Sequence, residues 1–291
     1  MKRRESIGYR IFTVFNYILL TLIALICFLP LINLLAVSFS SKAPVEAGMV
    51  GLWPKGFTID SYGYVFSTSQ FYKALWVSVE RTVLGTAISL VLTVLLAYPL
   101  SRSSAIFRGR GVFMGLVVFA MLFGGGLVPT YIIVANALNL KNTIWALVLP
   151  TGVQIFNAII MMNFFRQLPK EMEEAAYVDG ANHFHTLLMI ILPCSLPIIA
   201  TVVLFAFVGQ WNSWFDGLIY YTQPERYPLQ TYLQQFMAEP PKINVGSLYT
   251  EISNNSLASA NIFIIMLPIL LIYPLLQNYF IKGMVLGSVK G

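Results

Sequence analysis

Residues 173–193 read EEAAYVDGANHFHTLLMIILP and form a polar interval in a chain that is otherwise strongly apolar. Pro169, just before this interval, suits the first turn of a helix, because an N–H group there has no partner within the helix. Gly180 suits the end of that helix, and Asn182 can cap the start of the next one. The interval therefore predicts a short helix, a tight turn and a second helix that Pro193 ends.

The first predicted helix carries carboxylates beside small side chains. Glu171, Glu173 and Glu174 fall in its early turns, where negative charge stabilises the positive end of the helix dipole. Ala175 and Ala176 leave a flat surface next to them. Such a surface suits a groove on another protein, although a hairpin that merely covers the ends of other helices would show the same pattern.

The composition of the chain is that of a membrane protein with several spans. Hydrophobic residues make up 57% of its 291 residues, charged residues make up 10%, and the mean hydropathy is +0.74. Soluble domains carry about 25% charged residues. The apolar runs continue over about twenty positions without the alternation of a transmembrane strand, so the pattern favours α-helices over a barrel.

Six apolar runs are long enough to cross about 30 Å of hydrocarbon as helices. These predicted spans lie at residues 11–37, 82–100, 112–135, 143–165, 195–215 and 257–281. The first run exceeds the apolar core of a signal peptide, which has about 7–15 residues, so we interpret it as an uncleaved span. The predicted fold is an all-α membrane protein of six transmembrane helices, in one domain over residues 1–291.

The distribution of basic residues predicts the orientation. If the N-terminus lies in the cytoplasm, the loops at 101–111 and 166–194 and the C-terminal tail lie there as well. Eleven of the 18 lysines and arginines and five of the 12 acids then face the cytoplasm, in agreement with the positive-inside rule. This side accounts for the formal net charge of +6, so a nucleic-acid partner is not needed to explain it.

The six predicted spans contain no Asp, Glu, Lys, Arg or His. Ion-coupled carriers usually hold an ionisable group at membrane depth, but backbone carbonyls can also bind sodium, so this class is disfavoured rather than excluded. Glu80 and Arg81 immediately precede the second span and are expected at the membrane interface. The P-loop pattern G-x-x-x-x-G-K-[ST] does not occur in the sequence, so any ATP hydrolysis must come from another chain.

The sequence predicts neither a disulfide nor a metal site. Cys27 and Cys194 are far apart and lie in or beside apolar runs, so we expect them to be small buried apolar side chains. His183 and His185 are two positions apart and therefore point to different faces of a helix.

The sequences EAAYVDGA at 174–181 and ILP at 191–193 resemble the EAA signature of importer permeases of the ATP-binding-cassette (ABC) class. The residues that match the signature are Glu174, Ala175, Ala176, Asp179 and Gly180. The resemblance implies the type I ABC importer permease fold, in which segment 166–194 contains a coupling helix that docks in a cleft of the cytoplasmic ATPase. It also implies that Glu174 contacts a basic residue of the ATPase and that Gly180 shapes the turn.

Further stretches resemble the carbohydrate-uptake group of these permeases, in particular the polysaccharide and lipo-oligosaccharide type. They read GGGLVPTYIIVANALNLKNTIWALVLP at 124–150, QWNSWFDGLIY at 210–220 and YFIKGMVLGSVKG at 279–291. The resemblance implies a bacterial cell-membrane importer of oligosaccharides. Its parts are a second, homologous permease, two ATPase subunits that bind ATP and Mg²⁺, and an extracytoplasmic solute-binding protein. The chain itself would hold no cofactor and catalyse no bond chemistry.

Two other functions fit parts of the sequence. A secondary carrier or facilitator without an ATPase would explain the spans, and so would a membrane scaffold that transports nothing. Neither explains the signature in the polar interval.

Two groups of side chains are candidates for a sugar path, because amides hydrogen-bond to hydroxyl groups and aromatic faces stack on sugar rings. They are Gln154 and Asn157 in the fourth span, and Gln210, Trp211, Asn212 and Trp214 near the outer end of the fifth. Hydrogen bonding between helices is the favoured alternative for the first pair. An interfacial aromatic belt is the alternative for the second group, for which the resemblance favours the sugar path.

The predicted outer loops at 38–81 and 216–256 are rich in aromatic residues. Exposed aromatic side chains favour protein contacts, and the resemblance implies that the solute-binding protein docks here. The second loop is the better candidate for reaching into that protein. Self-packing of these residues into a small outer cap, or a place in the aromatic belt, is the alternative.

Overall fold

The computed structural model describes residues 7–240 and 252–288, which form helices and their connections and contain no strand. An isolated antiparallel bridge joins Ser40 and Phe57. Three segments lie outside the described residues: 1–6, 241–251 and 289–291. The first contains Lys2, Arg3, Arg4 and Glu5, the second is part of the second outer loop, and the third contains Lys290. The all-α prediction is confirmed for the part of the chain that the structure describes.

The first half of the chain contains two long helices and several short ones. They are α1 (Ile7–Ser38), α2 (Lys42–Glu46), α3 (Asp60–Ser67), α4 (Ser69–Ser101), α5 (Arg110–Leu122), α6 (Leu127–Tyr131), α7 (Ile144–Val148) and α8 (Ile155–Gln167), with a π-helical stretch at Ile132–Ala137.

The second half contains mostly shorter helices before a long last one. They are α9 (Lys170–Val178), α10 (His183–Thr186), α11 (Leu192–Cys194), α12 (Leu196–Asn212), α13 (Phe215–Tyr220), α14 (Leu229–Ala238) and α15 (Asn254–Ser288), with a π-helical stretch at Leu187–Ile191 and a 3-10 turn at Pro224–Arg226.

Three helices of the described chain are long and apolar enough to cross a membrane: α1, α4 and the part of α15 at Asn254–Leu275. Two further helix pairs pass the same test but are bent, α5 with Leu127–Ala137 by 111° and His183–Cys194 with α12 by 85°. If each bent pair is one span, the number rises to five.

Two of the predicted spans are therefore interrupted. The run at 112–135 breaks at its three glycines, where Gly126 takes φ +79°, a conformation that favours glycine. The run at 143–165 consists of α7 and α8, and Pro150 and Gly152 lie between them. Hydropathy does not reveal these breaks, because both segments are mostly apolar and contain no Asp, Glu, Lys, Arg or His.

The chain divides into two compact units. Met1–Ser69 and Gln235–Met266 form the first, and Gln70–Gln234 and Leu267–Gly291 form the second. Within the first unit, the Ser256 hydroxyl donates to the Ser40 carbonyl oxygen at 3.2 Å, and the rings of Phe39 and Tyr62 lie 4.8 Å apart. All the candidate site residues lie in the second unit.

The core of the second unit lies where α4, α8 and α12 meet. Ala97 and Tyr98 of α4, Met161 and Phe165 of α8, and Val202 of α12 are buried together there. These three helices, with the chain segments next to them, position both candidate sites.

The expected burial of the two cysteines is wrong. Cys27 and Cys194 are free and exposed. In α1, which carries Cys27, no residue from 7 to 35 is buried. A helix that faces hydrocarbon can expose apolar side chains on every side, so an apolar neighbourhood in the sequence does not require protein contact.

Candidate functional site

The polar interval folds as a helix and a turn that α10 follows. α9 ends at Val178, and Gly180 takes φ +81°. The N–H of Gly180 donates to the carbonyl oxygen of Tyr177 at 3.1 Å, and the N–H of Ala181 donates to that of Ala176 at 2.9 Å. These two bonds form a Schellman motif, which ends a helix with a left-handed residue, usually glycine.

The turn is also held by side chains. Oδ1 of Asn182 accepts a hydrogen bond of 2.8 Å from the N–H of His185, which satisfies an amide at the start of α10. The hydroxyl of Tyr177 lies 2.8 Å from Nδ1 of His183, across the turn. Side chains of α9 and of the start of α10 therefore both hold the shape of the turn.

The neighbouring glutamates of α9 lie in different environments. Glu173 is 9% exposed and forms an ion pair with Arg102, whereas Glu174 is exposed. The Arg102 guanidinium also lies over the Tyr98 ring, 4.7 Å from its centroid. Burial lowers the pKa of this guanidinium, and the Tyr98 and Tyr177 hydroxyls partly offset that effect. Glu173 thus ties α9 to the end of α4, and Glu174 is available to a partner.

The accessible face of α9 differs from the predicted one at a single alanine. Ala175 is exposed, but Ala176 is only 6% exposed and faces the protein, so its predicted place on the surface is wrong. Val178 is 87% exposed, although its side chain is apolar. The turn lies beside a cavity of about 380 Å³, which Asp179 and Gly180 help to line. The exposed residues of this surface are Glu174, Ala175, Val178, Asp179 and Gly180.

A second, smaller cavity lies among α4, α12 and the chain before α8. It has a volume of about 230 Å³ and is lined by Arg81, Thr151, Val153, Gln154, Gly209, Gln210 and Ser213. Two predicted path residues, Gln154 and Gln210, meet there. A third, Asn157, is buried beside them and donates from Nδ2 to Oε1 of Gln154 at 2.5 Å.

The strongest electrostatic feature at this cavity is an ion pair between Arg81 and Asp216. The Arg81 side chain is 1% exposed and that of Asp216 is 18% exposed. Nη1 donates to Oδ1 of Asp216 at 3.1 Å and to the Ser213 carbonyl at 3.0 Å, and Nη2 pairs with Oδ2. Arg81 is therefore buried within the protein, and its position at the membrane interface stays a prediction. Its partner lies 135 positions away, so no local pattern could reveal the pair.

Gln210 connects the ion pair to the rest of the cavity. Its Oε1 accepts from Nε of Arg81 at 3.2 Å, and its Nε2 donates to Oγ1 of Thr151 at 2.8 Å. α4 passes close by, because residue 85 is glycine: a Cβ atom there would lie 2.5 Å from Cδ of Gln210. With its one cation already paired, the cavity presents amide and hydroxyl groups without net charge, which suits hydroxyl groups of a ligand.

The other three path candidates lie outside this cavity. Trp211 is 4% exposed and stacks on Phe207 at a centroid distance of 6.2 Å. Asn212 is exposed and accepts from Nε2 of Gln230 at 3.4 Å, and Trp214 is 39% exposed. The structure therefore does not unite the predicted aromatic–amide group, although its members are close in sequence.

Part of the second outer loop packs on itself. Tyr220, Tyr221 and Tyr227 are buried in a cluster with Val134 and Leu147. The ring of Tyr220 also stacks on that of Tyr131 at 5.8 Å. For these tyrosines the self-packed cap is the better interpretation, whereas residues 222–226 between them are exposed.

Comparison with known proteins places this geometry in a family. The chain matches the model of the binding-protein-dependent transport system inner membrane component over residues 2–286. Two relatives come from Bacillus subtilis (strain 168). Protein LplC is 41% identical over 285 residues, which cover 97% of this chain and 96% of that protein. The polygalacturonan/rhamnogalacturonan transport system permease protein YtcP is 42% identical over 289 residues, which cover 97% of this chain and 99% of that protein.

A solved structure shows the same fold. A chain from the crystal structure of a bacterial ABC transporter involved in the import of the acidic polysaccharide alginate superposes with a TM-score of 0.85. It is 31% identical, over 95% of this chain and 99% of that one. The resemblance to importer permeases is thereby confirmed, and so is the role of a transport subunit that leaves ATP hydrolysis to another chain. The chain belongs to the family of binding-protein-dependent transport system inner membrane components and is a membrane permease subunit of an ABC importer.

Proposed function

We propose that this permease moves an oligosaccharide, delivered by a solute-binding protein, into the bacterial cytoplasm. The observation that carries the proposal is the similarity, over nearly the whole chain, to YtcP and to a chain of the alginate transporter. Both relatives are named for polymers rich in sugar acids, so acidic oligosaccharides are the first substrates to test. The uncharged polar cavity at Gln154 and Gln210 is the candidate for contacts with sugar hydroxyl groups.

The proposed architecture is one permease domain over residues 1–291 with six membrane crossings and both termini in the cytoplasm. The three long helices would supply three crossings, the two bent pairs would supply two more, and α7 with α8 would supply the sixth. The bases of 101–111 and 166–194 then lie in the cytoplasm, as the positive-inside rule requires.

The proposed partners are a second, homologous permease, two ATPase subunits that bind ATP and Mg²⁺, and the solute-binding protein. The ATPase contact would be the exposed face of α9 with its turn, at Glu174, Ala175, Asp179 and Gly180. In support, this face is exposed while its backbone is held by the Schellman motif. A partner can therefore push on it as a rigid body.

The ion pair of Glu173 and Arg102 offers a route from the ATPase to the cavity. Arg102 follows directly on α4, the unbroken helix that also carries Arg81. At 1.5 Å per residue, the distance along the helix between these arginines is about 30 Å. Movement of α9 would thus shift α4 and, with it, the wall of the cavity.

Charge reversal at α9 tests the coupling role. In the reconstituted complex, Glu174→Lys should abolish sugar uptake and retention of the ATPase in a pull-down, because attraction at the contact becomes repulsion. Gly180→Pro should do the same by removing the left-handed turn. Glu171→Lys makes the same charge change at an exposed position outside the signature and should retain both activities. Wild-type uptake and ATPase retention in Glu174→Lys and Gly180→Pro would contradict the coupling role.

Accessibility of single cysteines tests the orientation. In a background with Cys27 and Cys194 replaced by alanine, an impermeant thiol reagent added outside should label Glu225→Cys but not Arg108→Cys. Both native residues are exposed in the structure, so burial does not bias the comparison. Labelling of the Arg108 position alone would invert the chain and remove α9 from the cytoplasm.

A further inference from the structure

A third cavity of the described chain contains basic residues, Arg110 and Arg166, that the proposed transport cycle does not use. It has a volume of about 550 Å³ and lies between the end of α4, the start of α5, the end of α8 and α9. Four bases and two acids line it: Arg102, Arg110, Arg166, Lys170, Glu173 and Glu174. Arg102 and Glu173 neutralise each other as an ion pair, which leaves an excess of positive charge.

Two of these guanidinium groups meet at one atom. Nε of Arg110 and Nη2 of Arg166 donate to the carbonyl oxygen of Leu100, at 3.0 and 3.1 Å. The two nitrogen atoms are therefore no farther apart than the sum of these distances. The carbonyl lies at the end of α4, where the helix dipole favours positive charge. Its partial negative charge is smaller than the two full positive charges of the guanidinium groups that it accepts from.

Each of these arginines keeps further N–H groups beyond the bond to Leu100, because a guanidinium carries five. A guanidinium that is fixed at one donor and open at the others suits two-point binding of a phosphate or carboxylate. An anion between the two arginines would relieve their mutual repulsion and use these donors.

The surroundings of the cavity favour a lipid as the source of this anion. Arg110 is the first residue of α5, whose side chains Val112, Phe113 and Leu116 are exposed and apolar. Ile106, which lines the cavity, is 56% exposed. Charged and apolar groups therefore adjoin as they do at a membrane surface, where basic pockets bind acidic head groups.

We propose that this cavity binds the phosphate group of an anionic phospholipid, with Arg110 and Arg166 as the contacting residues. The binding chemistry follows from these contacts alone. In the proposed topology this cavity lies on the cytoplasmic side, so the lipid would come from the cytoplasmic leaflet. Only this choice of leaflet rests on the proposed function. Glu174 lines this cavity, but the contacting residues Arg110 and Arg166 belong neither to the proposed ATPase contact nor to the polar cavity near Arg81. Failure of the lipid proposal in a test would therefore leave the transport proposal intact.

The experiment uses the purified transporter complex in a neutral detergent. Thermal unfolding is followed during titration with phosphatidylglycerol, phosphatidylcholine or inorganic phosphate, and bound lipid is counted by native mass spectrometry. Phosphatidylglycerol should raise the unfolding temperature and remain bound, whereas the other two should have little effect. In Arg110→Gln/Arg166→Gln, the affinity for phosphatidylglycerol should fall by about tenfold or more, because two charge-assisted hydrogen bonds are lost.

Two further variants sharpen the result. Arg108→Gln removes the same charge at an exposed residue that does not line the cavity, and it should bind lipid like the wild type. Arg110→Lys/Arg166→Lys keeps the charge but loses the two-point geometry, so it should bind more weakly than the wild type even if the glutamine variant does not fold. Equal effects of the two lipids, or wild-type lipid affinity in the lysine variant, would overturn the proposal. Stabilisation by inorganic phosphate to the same extent would overturn the lipid assignment.

Discussion

Arg81 of α4 and Asp216 of α13 form an ion pair across 135 positions of the sequence, and the Arg81 side chain is buried. Asp216 is itself oriented, since its Oδ1 also accepts from the Ser213 hydroxyl at 3.0 Å and from the N–H of Gly217 at 2.9 Å. The pair fastens α4 to the segment that follows α12. It also keeps the polar cavity beside it free of net charge.

Removal of either charge should destabilise the protein. Asp216→Asn leaves the buried charge of Arg81 without its partner, which typically costs about 3–5 kcal/mol. Arg81→Gln should cost less, because the Asp216 side chain is 18% exposed. The double variant should lose less stability than the sum of the two single ones, because it buries no unpaired charge. Unfolding midpoints of the purified complex give the three comparisons, and additive losses would mean that the two groups do not interact.

A methyl group at residue 85 should disturb the cavity. The new Cβ of Gly85→Ala would lie 2.5 Å from Cδ of Gln210, which is 2% exposed and bonded to Thr151 and Arg81. Because the glutamine cannot move without losing these bonds, we expect a loss of about 1–3 kcal/mol and reduced sugar uptake.

The matched control is Gly115→Ala in α5, where a Cβ would meet nothing within 4 Å. Alanine is the better helix former there, so stability and uptake should be retained. If the two alanine variants behave alike, the close approach of α4 to Gln210 is not required.

The ion pair of Glu173 and Arg102 should be necessary for transmitting movement from α9 to α4, but not for ATPase binding. Glu173→Arg is expected to lower uptake while the ATPase still co-purifies, because Glu174 on the exposed face is unchanged. Exchange of both charges, in Glu173→Arg/Arg102→Glu, should restore part of the uptake. Loss of the ATPase from Glu173→Arg would instead assign Glu173 to the docking face.

Trp211 near the end of α12 and Trp214 just after it should respond differently to replacement by alanine. Trp211→Ala removes a buried, stacked ring and should cost about 3–5 kcal/mol of stability. Trp214→Ala removes a ring that is 39% exposed, so stability should change little. A fall in sugar affinity in Trp214→Ala, measured by uptake at several sugar concentrations, would return this residue to the sugar path.

Local patterns carried the prediction of the polar interval. Asn182 and Gly180 act on backbone groups within a few positions of themselves, so their chemistry alone indicates where one helix ends and the next begins. The same reasoning placed Gln154 and Asn157 on one face, and they do form a hydrogen bond. For the group from Gln210 to Trp214, closeness in sequence was a poor guide, because α12 ends within it and directs the side chains to different surroundings.

The sequence by itself determined that the chain is helical, that it belongs in a membrane and that one helix ends at Gly180 and the next begins after Asn182. Long apolar runs and capping residues express these properties locally. Tertiary structure decided which charges are buried and which remain available. Glu173 and Glu174 are neighbours with the same side chain, yet only Glu173 meets an arginine, 71 positions earlier in the chain. The difference arises from the packing of α9 against the end of α4, and a contact between distant segments leaves no trace in the residues beside it.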